Sequence, residues 1–235
     1  MPKRLLRNIV FWLSINHFER IKTFGFFKHI SYVFNFNISR IVINMQANLT
    51  HLPKLIFPKG YSIREMDTEN PDEISEWIRI VNQSYPDADE NEASFKKHLY
   101  RHPFLNAIKI FFITSENIPV GTVSAGIYRK NPNYGGDARI AILPSEQGHG
   151  LGLFAINYAF HYLKKQGINY GETIISIKRT QSIILHLKCG FRPQFDRSKT
   201  MFDIQKRMWP ARFFAKRKLK KLTKAYLLKS HKQIQ

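Results

Sequence analysis

A glycine-rich stretch, AILPSEQGHGLG at residues 141–152, has the composition of an anion-binding loop. Its three glycines lie between a short apolar run and a longer one that reads as an amphipathic helix. The first turn of a helix has N–H groups without intrahelical partners and carries a partial positive charge, and both features favour phosphate oxygens. Because glycine lets those N–H groups approach a ligand closely, the stretch predicts a phosphate site at a strand-to-helix junction.

Two common phosphate-binding loops do not match this stretch. A Walker loop needs GK[ST], which is absent, and the Rossmann pattern GxGxxG is not met because Gly148, Gly150 and Gly152 are spaced two by two. The local pattern alone is also compatible with a turn that binds no ligand.

The elements around the glycines predict a mixed α/β fold. The predicted order is βααβββαβαββ: a strand at 61–67, a helix at 70–85, an acidic turn and helix at 86–103, hairpin strands at 107–115 and 119–129, a turn-rich run at 130–136, a strand at 137–144, a helix at 150–166, a strand at 172–178, a helix at 180–190 and two strands to about 207. This order corresponds to a layered α/β arrangement.

The charge is concentrated at the two ends of the chain. The formal net charge is +20 over 235 residues, but residues 61–203 hold seventeen Lys/Arg and sixteen Asp/Glu and are nearly neutral. The prolines and glycine at Pro53, Pro58 and Gly60 mark a first boundary, and Pro210 marks a second. We therefore predict a basic, aromatic-rich N-terminal extension (1–60), a catalytic or binding domain (61–207) and a basic amphipathic C-terminal tail (208–235).

Three interpretations of the basic ends stay open. Residues 209–232 place an apolar ridge beside a cationic flank, which is typical of attachment to an anionic membrane surface. Basic residues mixed with aromatic ones also fit RNA or ribosome contact. Alternatively, both ends dock on the core and leave their lysines in water. The single cysteine, Cys189, indicates a reducing cytoplasmic setting, with a peripheral position at the inner face of the membrane under the first interpretation.

The segment ILPSEQGHGLG closely resembles the acetyl-CoA signature of the GNAT N-acetyltransferases. That signature is a hydrophobic strand and proline followed by [QR]xxGx[GA], matched here by Gln147, Gly150 and Gly152. A second segment, RTQSIILHLKCGF, resembles the family's NxxAxxLYxxxGF and keeps Leu185, Gly190 and Phe191. The resemblance covers about residues 61–207 and implies a GNAT-like mixed, mostly antiparallel twisted sheet with flanking helices.

The resemblance implies that acetyl-CoA lies in a V between the strands at 137–143 and 172–178. An amine would then attack the thioester directly, without a covalent enzyme intermediate. The backbone N–H near Ile142 would polarise the thioester carbonyl. The implied cofactor-binding residues are the pantetheine-pairing Ile140, Ala141, Ile142 and Leu143, and the pyrophosphate-binding Gln147, Gly148, His149, Gly150, Leu151 and Gly152.

The chain departs from the family pattern at two positions. The usual tyrosine that protonates the leaving thiolate is replaced by His186, and the usual asparagine by Arg179. A histidine titrates near ~6.5 and a thiol near ~8.5 in model compounds, so His186 is a candidate general acid. The alternative is a polar residue on a helix face without a catalytic part. Arg179 lies either near the cofactor's phosphates or in solvent.

Several acids are candidates for the acceptor side of the site. Glu172 and Asp137, at predicted strand starts, are candidate bases for the amine's proton, although strand ends commonly carry surface acids. The resemblance assigns Tyr85, Asp87 and Asp89 to the acceptor wall, and acids there also stabilise a helix start. No His or Cys pair has metal-ligand spacing, so we predict no metal.

Three alternatives to acetyl transfer remain at this stage. A longer-chain acyltransferase would need a wider channel beyond Ile142. A non-catalytic module would keep acyl-CoA as a ligand, which the replacement of tyrosine by His186 favours. A module that binds nucleic acid or membrane would act through the basic ends, with binding that weakens steeply with salt.

Overall fold

The computed structural model of the protein describes residues 42–194 and 217–225. Its strands are β1 Val42–Asn48, β2 Tyr61–Glu65, β3 Leu105–Ser115, β4 Ile118–Tyr128, β5 Tyr134–Ile142, β6 Tyr170–Ser176 and β7 Arg192–Pro193. They form one sheet in the order β2-β3-β4-β5-β6-β1-β7, in which only β5 and β6 pair in parallel.

Four helices connect these strands, and a further helical segment follows them. The bounds are α1 Pro71–Ser84, α2 Glu92–Tyr100, α3 Leu151–Lys165 and α4 Thr180–Lys188, and residues 217–225 are also helical. The mixed α/β class and the mostly antiparallel sheet are confirmed.

Side-chain caps explain where α1 and α2 begin. The Asn70 side chain accepts a hydrogen bond from the Asp72 N–H at 2.9 Å, and Pro71 occupies the first helical position. Asn91 and Ser94 form a capping box at the start of α2. Asp87 and Asp89 therefore lie in the loop that precedes the Asn91 cap, which is the acidic turn expected within residues 86–103, and α2 ends at Tyr100, before Pro103.

The predicted element order begins at residue 61 and leaves the fold of residues 1–60 open, and the structure adds one strand, β1, ahead of that order. β1 pairs along its whole length with β6, with Gln46 opposite Glu172. Ile43 and Met45 are buried, whereas Asn44 and Gln46 are half-buried. This alternation is the strand signal, and it lies inside the range assigned to the N-terminal extension.

The start of β5 also differs from expectation. Gly135 and Gly136, assigned to a turn-rich run, are buried in the strand. A Cβ on Gly135 would meet Leu163 of α3 at 2.8 Å, and one on Gly136 would meet the Glu172 carbonyl oxygen at 2.9 Å. These glycines allow close packing of the strand and do not form a turn.

Part of the C-terminal tail packs on the core. Leu219 is 4% exposed and belongs to the hydrophobic core, and Lys218 Nζ donates to the Ile177 carbonyl at 3.3 Å. The second of the two final strands expected before residue 207, and most of both basic ends, lie outside the described residues. Within residues 42–194 and 217–225 there is no helix with the length and apolar content that crossing a membrane requires.

Candidate functional site

β5 and β6 separate to form a V-shaped gap. The two parallel strands are in register only at Tyr134–Tyr170 and Gly135–Gly171. Further along, β6 pairs with β1, while β5 pairs with β4 and has a register shift between Thr122 and Ser124. Arg139 at this irregularity has φ 48°, and such a bulge bends a strand. The gap beyond Gly135 and Gly171, called the V here, thus has the free edge of β5 as one wall.

The free edge of β5 presents the backbone groups of Ile140 and Ile142. The Leu143 N–H donates to the Val120 carbonyl on the β4 side at 2.9 Å. Because backbone groups of successive strand residues point to opposite sides, those of Ile142 and Ile140 face the V. Both carbonyls already accept side-chain donors: the Tyr85 hydroxyl bonds the Ile140 oxygen, and Gln147 Nε2 bonds the Ile142 oxygen at 3.1 Å.

The glycine loop, residues 147–152, joins β5 to α3 at the wide end of the V. Gly148 has φ 93° and Gly150 has φ 81°, in the left-handed region that favours glycine. Among the residues that the structure describes, a Cβ at either position would meet nothing within 4 Å, and no side chain caps α3. The first intrahelical bond runs from Phe154 N to the Gly150 carbonyl at 3.1 Å, so the preceding N–H groups of α3 have no intrahelical acceptor. The loop is an open set of donors that fits a pyrophosphate.

The His149 side chain does not face the helix entrance. Its Nδ1 lies 3.2 Å from the Tyr61 hydroxyl, which also donates to Glu146 Oε2 at 2.8 Å. The hydrogen bond to Glu146 raises the pKa of Tyr61. The loop therefore offers the backbone N–H of His149 to an anion, while the imidazole contacts β2.

His186 and Asp137 form a buried ion pair. His186 Nε2 lies 2.9 Å from Asp137 Oδ2, with the side chains 1% and 2% exposed. Nδ1 donates to the Ser182 carbonyl at 2.8 Å, so both ring nitrogens have partners. Burial lowers the pKa of His186, but the adjacent Asp137 carboxylate and the bond to Ser182 outweigh it, and the net shift is upward from 6.5.

Glu172 is held by two amides of β1. Its Oε1 accepts from Asn44 Nδ2 at 3.0 Å, and its Oε2 accepts from Gln46 Nε2 at 2.6 Å. A Cβ on neighbouring Gly171 would touch Phe160 of α3, so Glu172 points to the opposite face of the sheet.

Asp137 lies on the other side of the sheet from Glu172. It shares the α3 face with Gly135, two residues earlier on the same strand. The two candidate bases thus flank the narrow end of the V from opposite faces.

The loop between α1 and α2 contacts the V through two residues. The Arg179 guanidinium, at the position before α4, lies 4.7 Å from the centre of the Tyr85 ring. Burial raises the pKa of Tyr85, and the Arg179 charge opposes that shift. Glu90 pairs with Arg139 at 2.5 Å, so this loop is tied to the bulge of β5. Asp87 and Asp89 are exposed on the same loop.

Sequence reasoning missed the partners that these residues share. Asn44 and Gln46 come from a strand that was not predicted, although their alternation with Ile43 and Met45 is visible. The ion pair joins positions 49 residues apart, and no local pattern signals it. Within the described ranges no group of three or more His, Cys, Asp or Glu side chains is arranged to hold a metal ion.

Comparisons with known proteins give one family. Residues 72–191 match the Acetyltransferase (GNAT) family, and no curated protein sequence matches the chain. Similar solved structures include a GCN5-related N-acetyltransferase from Kribbella flavida, with 17% identity over 64% of this chain and 53% of that one and a TM-score of 0.46. Another, from Sphaerobacter thermophilus, has 16% identity over 65% and 48% and a TM-score of 0.49. The matched part of this chain thus spans about half the length of both.

Proposed function

Since the chain belongs to the GNAT acetyltransferase family, we propose that it is an N-acetyltransferase that moves the acetyl group of acetyl-CoA to an amine by direct attack in a ternary complex. Acetyl-CoA supplies an acyl group activated as a thioester. The residues of this chain bind the donor, orient the two reactants and manage the protons.

The open helix entrance at the separated strands is the observation that carries the proposal. A phosphate-binding loop needs free N–H groups and no side chain in the way, and Gly148 and Gly150 meet both needs. The Gln147 N–H donates to the Pro144 carbonyl at 3.4 Å, so the free donors begin at Gly148. Hydrogen bonds to a charged group contribute about 1.5–3 kcal/mol each, so several N–H groups from Gly148 to Gly152 would hold a pyrophosphate without a lysine. We assign the polarisation of the thioester carbonyl to the N–H of Ile142, on the wall of the same V.

Proton handling is assigned to groups at the narrow end of the V. Glu172 is the candidate base on the face of the sheet opposite α3, where the amides of Asn44 and Gln46 fix its orientation. His186 is the candidate acid, and its Nε2 is hydrogen-bonded to Asp137 of β5. Tyr85, Asp87 and Asp89 are proposed for the acceptor wall, with Arg179 stacked on Tyr85.

A non-catalytic acyl-CoA-binding module is the second candidate. It is favoured by the 1% exposure of His186 and by the engagement of both its ring nitrogens. The two candidates differ in one measurement, since only the enzyme releases free CoA when acetyl-CoA is mixed with a panel of amines.

The described part of the C-terminal tail favours docking on the core over insertion into a membrane. Leu219, from the apolar ridge expected to enter a membrane, is buried against the core, while Lys220 and Lys221 are exposed. This arrangement supports docking of the tail with its lysines in water.

The decisive test compares three glycine variants by calorimetric titration with acetyl-CoA. Gly150→Glu is expected to abolish binding, because a carboxylate enters the space that the pyrophosphate needs. Gly150→Ala carries the same backbone strain without the charge, and we expect a smaller loss.

Gly167→Glu is the matched control for this test. Gly167 follows the other end of α3 with φ 83° and has nothing within 4 Å of its Cβ position. We expect wild-type affinity for this variant. Wild-type affinity in Gly150→Glu would refute the phosphate site.

A further inference from the structure

Of the two ring hydrogens that a cationic His186 carries, only the one on Nε2, which faces Asp137, can be lost on deprotonation. The Ser182 carbonyl only accepts hydrogen bonds, so Nδ1 of His186 carries a hydrogen in every state of the pair. The variable proton is the one on Nε2, 2.9 Å from Asp137 Oδ2. Asp137 therefore decides whether the ring is neutral or cationic.

We propose that Asp137 is a positioning residue that keeps Nε2 of His186 protonated at neutral pH, so that the pair supplies the proton for the departing sulfur. This inference rests on the acyl transfer proposed above. It gives Asp137 a role other than that of a base for the amine, because a carboxylate paired with a cationic imidazole is a poor proton acceptor.

The surroundings make Asp137 the controlling charge. Cys189, three residues after His186, has a thiol whose pKa burial and Asp137 raise to about 12, so it stays neutral. Burial raises the pKa of the Tyr128 hydroxyl on β4, and the charges of Glu172 and Asp137 raise it further, so this group also stays neutral. The Phe191 ring packs edge-on against the imidazole at 5.4 Å between centroids.

One oxygen of Asp137 lacks a partner. Oδ1 is buried and accepts no hydrogen bond within the part of the chain that the structure describes. Buried polar atoms are nearly always paired, so this acceptor at the narrow end of the V is available to a donor from a bound ligand or from water. A thiol S–H that forms beside the pair is a donor that would satisfy it.

Bonds and protons balance in the proposed acyl transfer. The amine nitrogen forms a bond to the acyl carbon as the C–S bond breaks and the sulfur keeps the bonding electrons. The pair of His186 and Asp137 gives up one proton to that sulfur, and the imidazole is left neutral with its Nδ1 hydrogen still bonded to the Ser182 carbonyl. The amine loses one proton through Glu172 or solvent, and His186 regains one from solvent.

The first experiment uses the wild-type protein without a ligand. Histidines labelled with ¹⁵N report by NMR whether each ring nitrogen is protonated. We expect both nitrogens of His186 to carry hydrogen at pH 7.5, where an ordinary histidine with pKa about 6.5 is roughly 90% neutral. A neutral His186 ring at that pH overturns the proposal.

The second experiment uses Asp137→Asn. The asparagine Nδ2 can donate to Nε2 of a neutral imidazole, so the buried contact keeps a hydrogen bond and the protein is expected to fold. The rate of transfer requires the protonated ring and falls as pH rises through the His186 pKa. We expect this falling limb to move to lower pH, with at least a tenfold loss of rate at pH 7.5 and acetyl-CoA affinity within threefold of wild type.

His186→Tyr provides the rescue variant for this series. Tyrosine carries its own proton, so adding Asp137→Asn to His186→Tyr is expected to leave the falling limb in place. A purely structural role for Asp137 would lower the rate equally at all pH values, and an unmoved limb in Asp137→Asn overturns the proposal.

Acetyl-CoA binding and the protonation of His186 test the proposed function and the role of Asp137 separately. If wild type binds no acetyl-CoA, the proposed function is wrong, and the role of Asp137 in transfer falls with it whatever the NMR result. If wild type binds acetyl-CoA and acetylates an amine, but His186 is neutral at pH 7.5, only the role of Asp137 is wrong.

Discussion

Two buried histidines, His98 and His186, have pKa values shifted in opposite directions, and the difference is a neighbouring carboxylate. His98 bonds Ser124 Oγ at 2.9 Å and stacks on Trp77, and no acid of the described ranges contributes to its pKa shift. Burial lowers its pKa to about 3, so it is neutral. His186 is at least as buried, yet its pKa is raised because Asp137 is 2.9 Å away.

These opposite shifts predict opposite effects of pH on the free energy of unfolding. The raised pKa of His186 contributes stability that is fully present below its unfolded value of about 6.5 and is lost as pH rises through the folded value. The lowered pKa of His98 removes stability as pH falls below about 6.5, because the unfolded chain then binds a proton that the folded chain does not. The pH dependence of the unfolding free energy of the wild type therefore contains both contributions.

The difference between wild type and Asp137→Asn isolates His186. We expect that difference in unfolding free energy to be largest below pH 6.5 and to shrink at higher pH by at most about 1.4 kcal/mol per pH unit, the value for one proton. Urea denaturation between pH 5.5 and 9 measures it. A difference that stays constant over this range would mean that the ring is not cationic in the folded protein.

The free edge of β5 is contacted both by Tyr85, at the end of α1, and by Gln147 of the glycine loop. Its two V-facing carbonyls are capped by the Tyr85 hydroxyl and the Gln147 amide. An extended ligand that pairs with this edge has to displace both caps. Because Tyr85 also carries Arg179 on its ring, displacement would shift the contact between the α1–α2 loop and α4.

Removing the Tyr85 cap is therefore expected to strengthen donor binding. Tyr85→Phe keeps the ring for Arg179 and frees the Ile140 carbonyl. A neutral hydrogen bond has a net value of about 0.5–1.5 kcal/mol, which corresponds to a gain of roughly 2- to 10-fold in acetyl-CoA affinity. Tyr100→Phe is the control, since the Tyr100 hydroxyl bonds Glu69 on an exposed surface. Weaker binding in Tyr85→Phe would mean that the hydroxyl contacts the ligand instead.

Elements that depend on neighbouring residues could be predicted from the sequence, whereas features that depend on packing between distant segments could not. The hairpin between β3 and β4 follows from its turn, where Glu116 and Asn117 take positive φ. The glycine loop follows from the strand and helix patterns on either side of it. Gly135 and Gly136 were assigned to a turn because glycine serves both turns and close contacts, and only the position of Leu163 distinguishes the two.

Long-range partners of the site could not be predicted from the sequence. The catalytic candidates His186 and Glu172 were identified, but their partners Asp137, Asn44 and Gln46 depend on how distant strands align. The sheet order, with β1 inserted between β6 and β7, places these groups together.

At the scale of the whole molecule, β1 is needed to complete the sheet and its core. β1 lies between β6 and β7, and Met45 together with Leu49, just after the strand, is fully buried. Burial of each such side chain contributes about 1.5–3 kcal/mol, and the total stability of a domain is about 5–15 kcal/mol. A domain that begins at residue 61, as the sequence boundaries indicate, would lack both this burial and the pairing partner of β6.

We therefore expect a chain that starts at residue 61 to lose its cooperative thermal transition, whereas a chain that starts at residue 42 keeps it. Without β1, the edge of β6 has unpaired N–H and C=O groups and is prone to aggregate. The same truncation removes Asn44 and Gln46, so any folded remainder would hold Glu172 without its two donors. Calorimetry and light scattering on the two chains measure these effects, with acetyl-CoA titration as the readout of the V. If the chain from residue 61 melts and binds acetyl-CoA like the chain from residue 42, then β1 is an accessory strand and the boundary at residue 60 is correct.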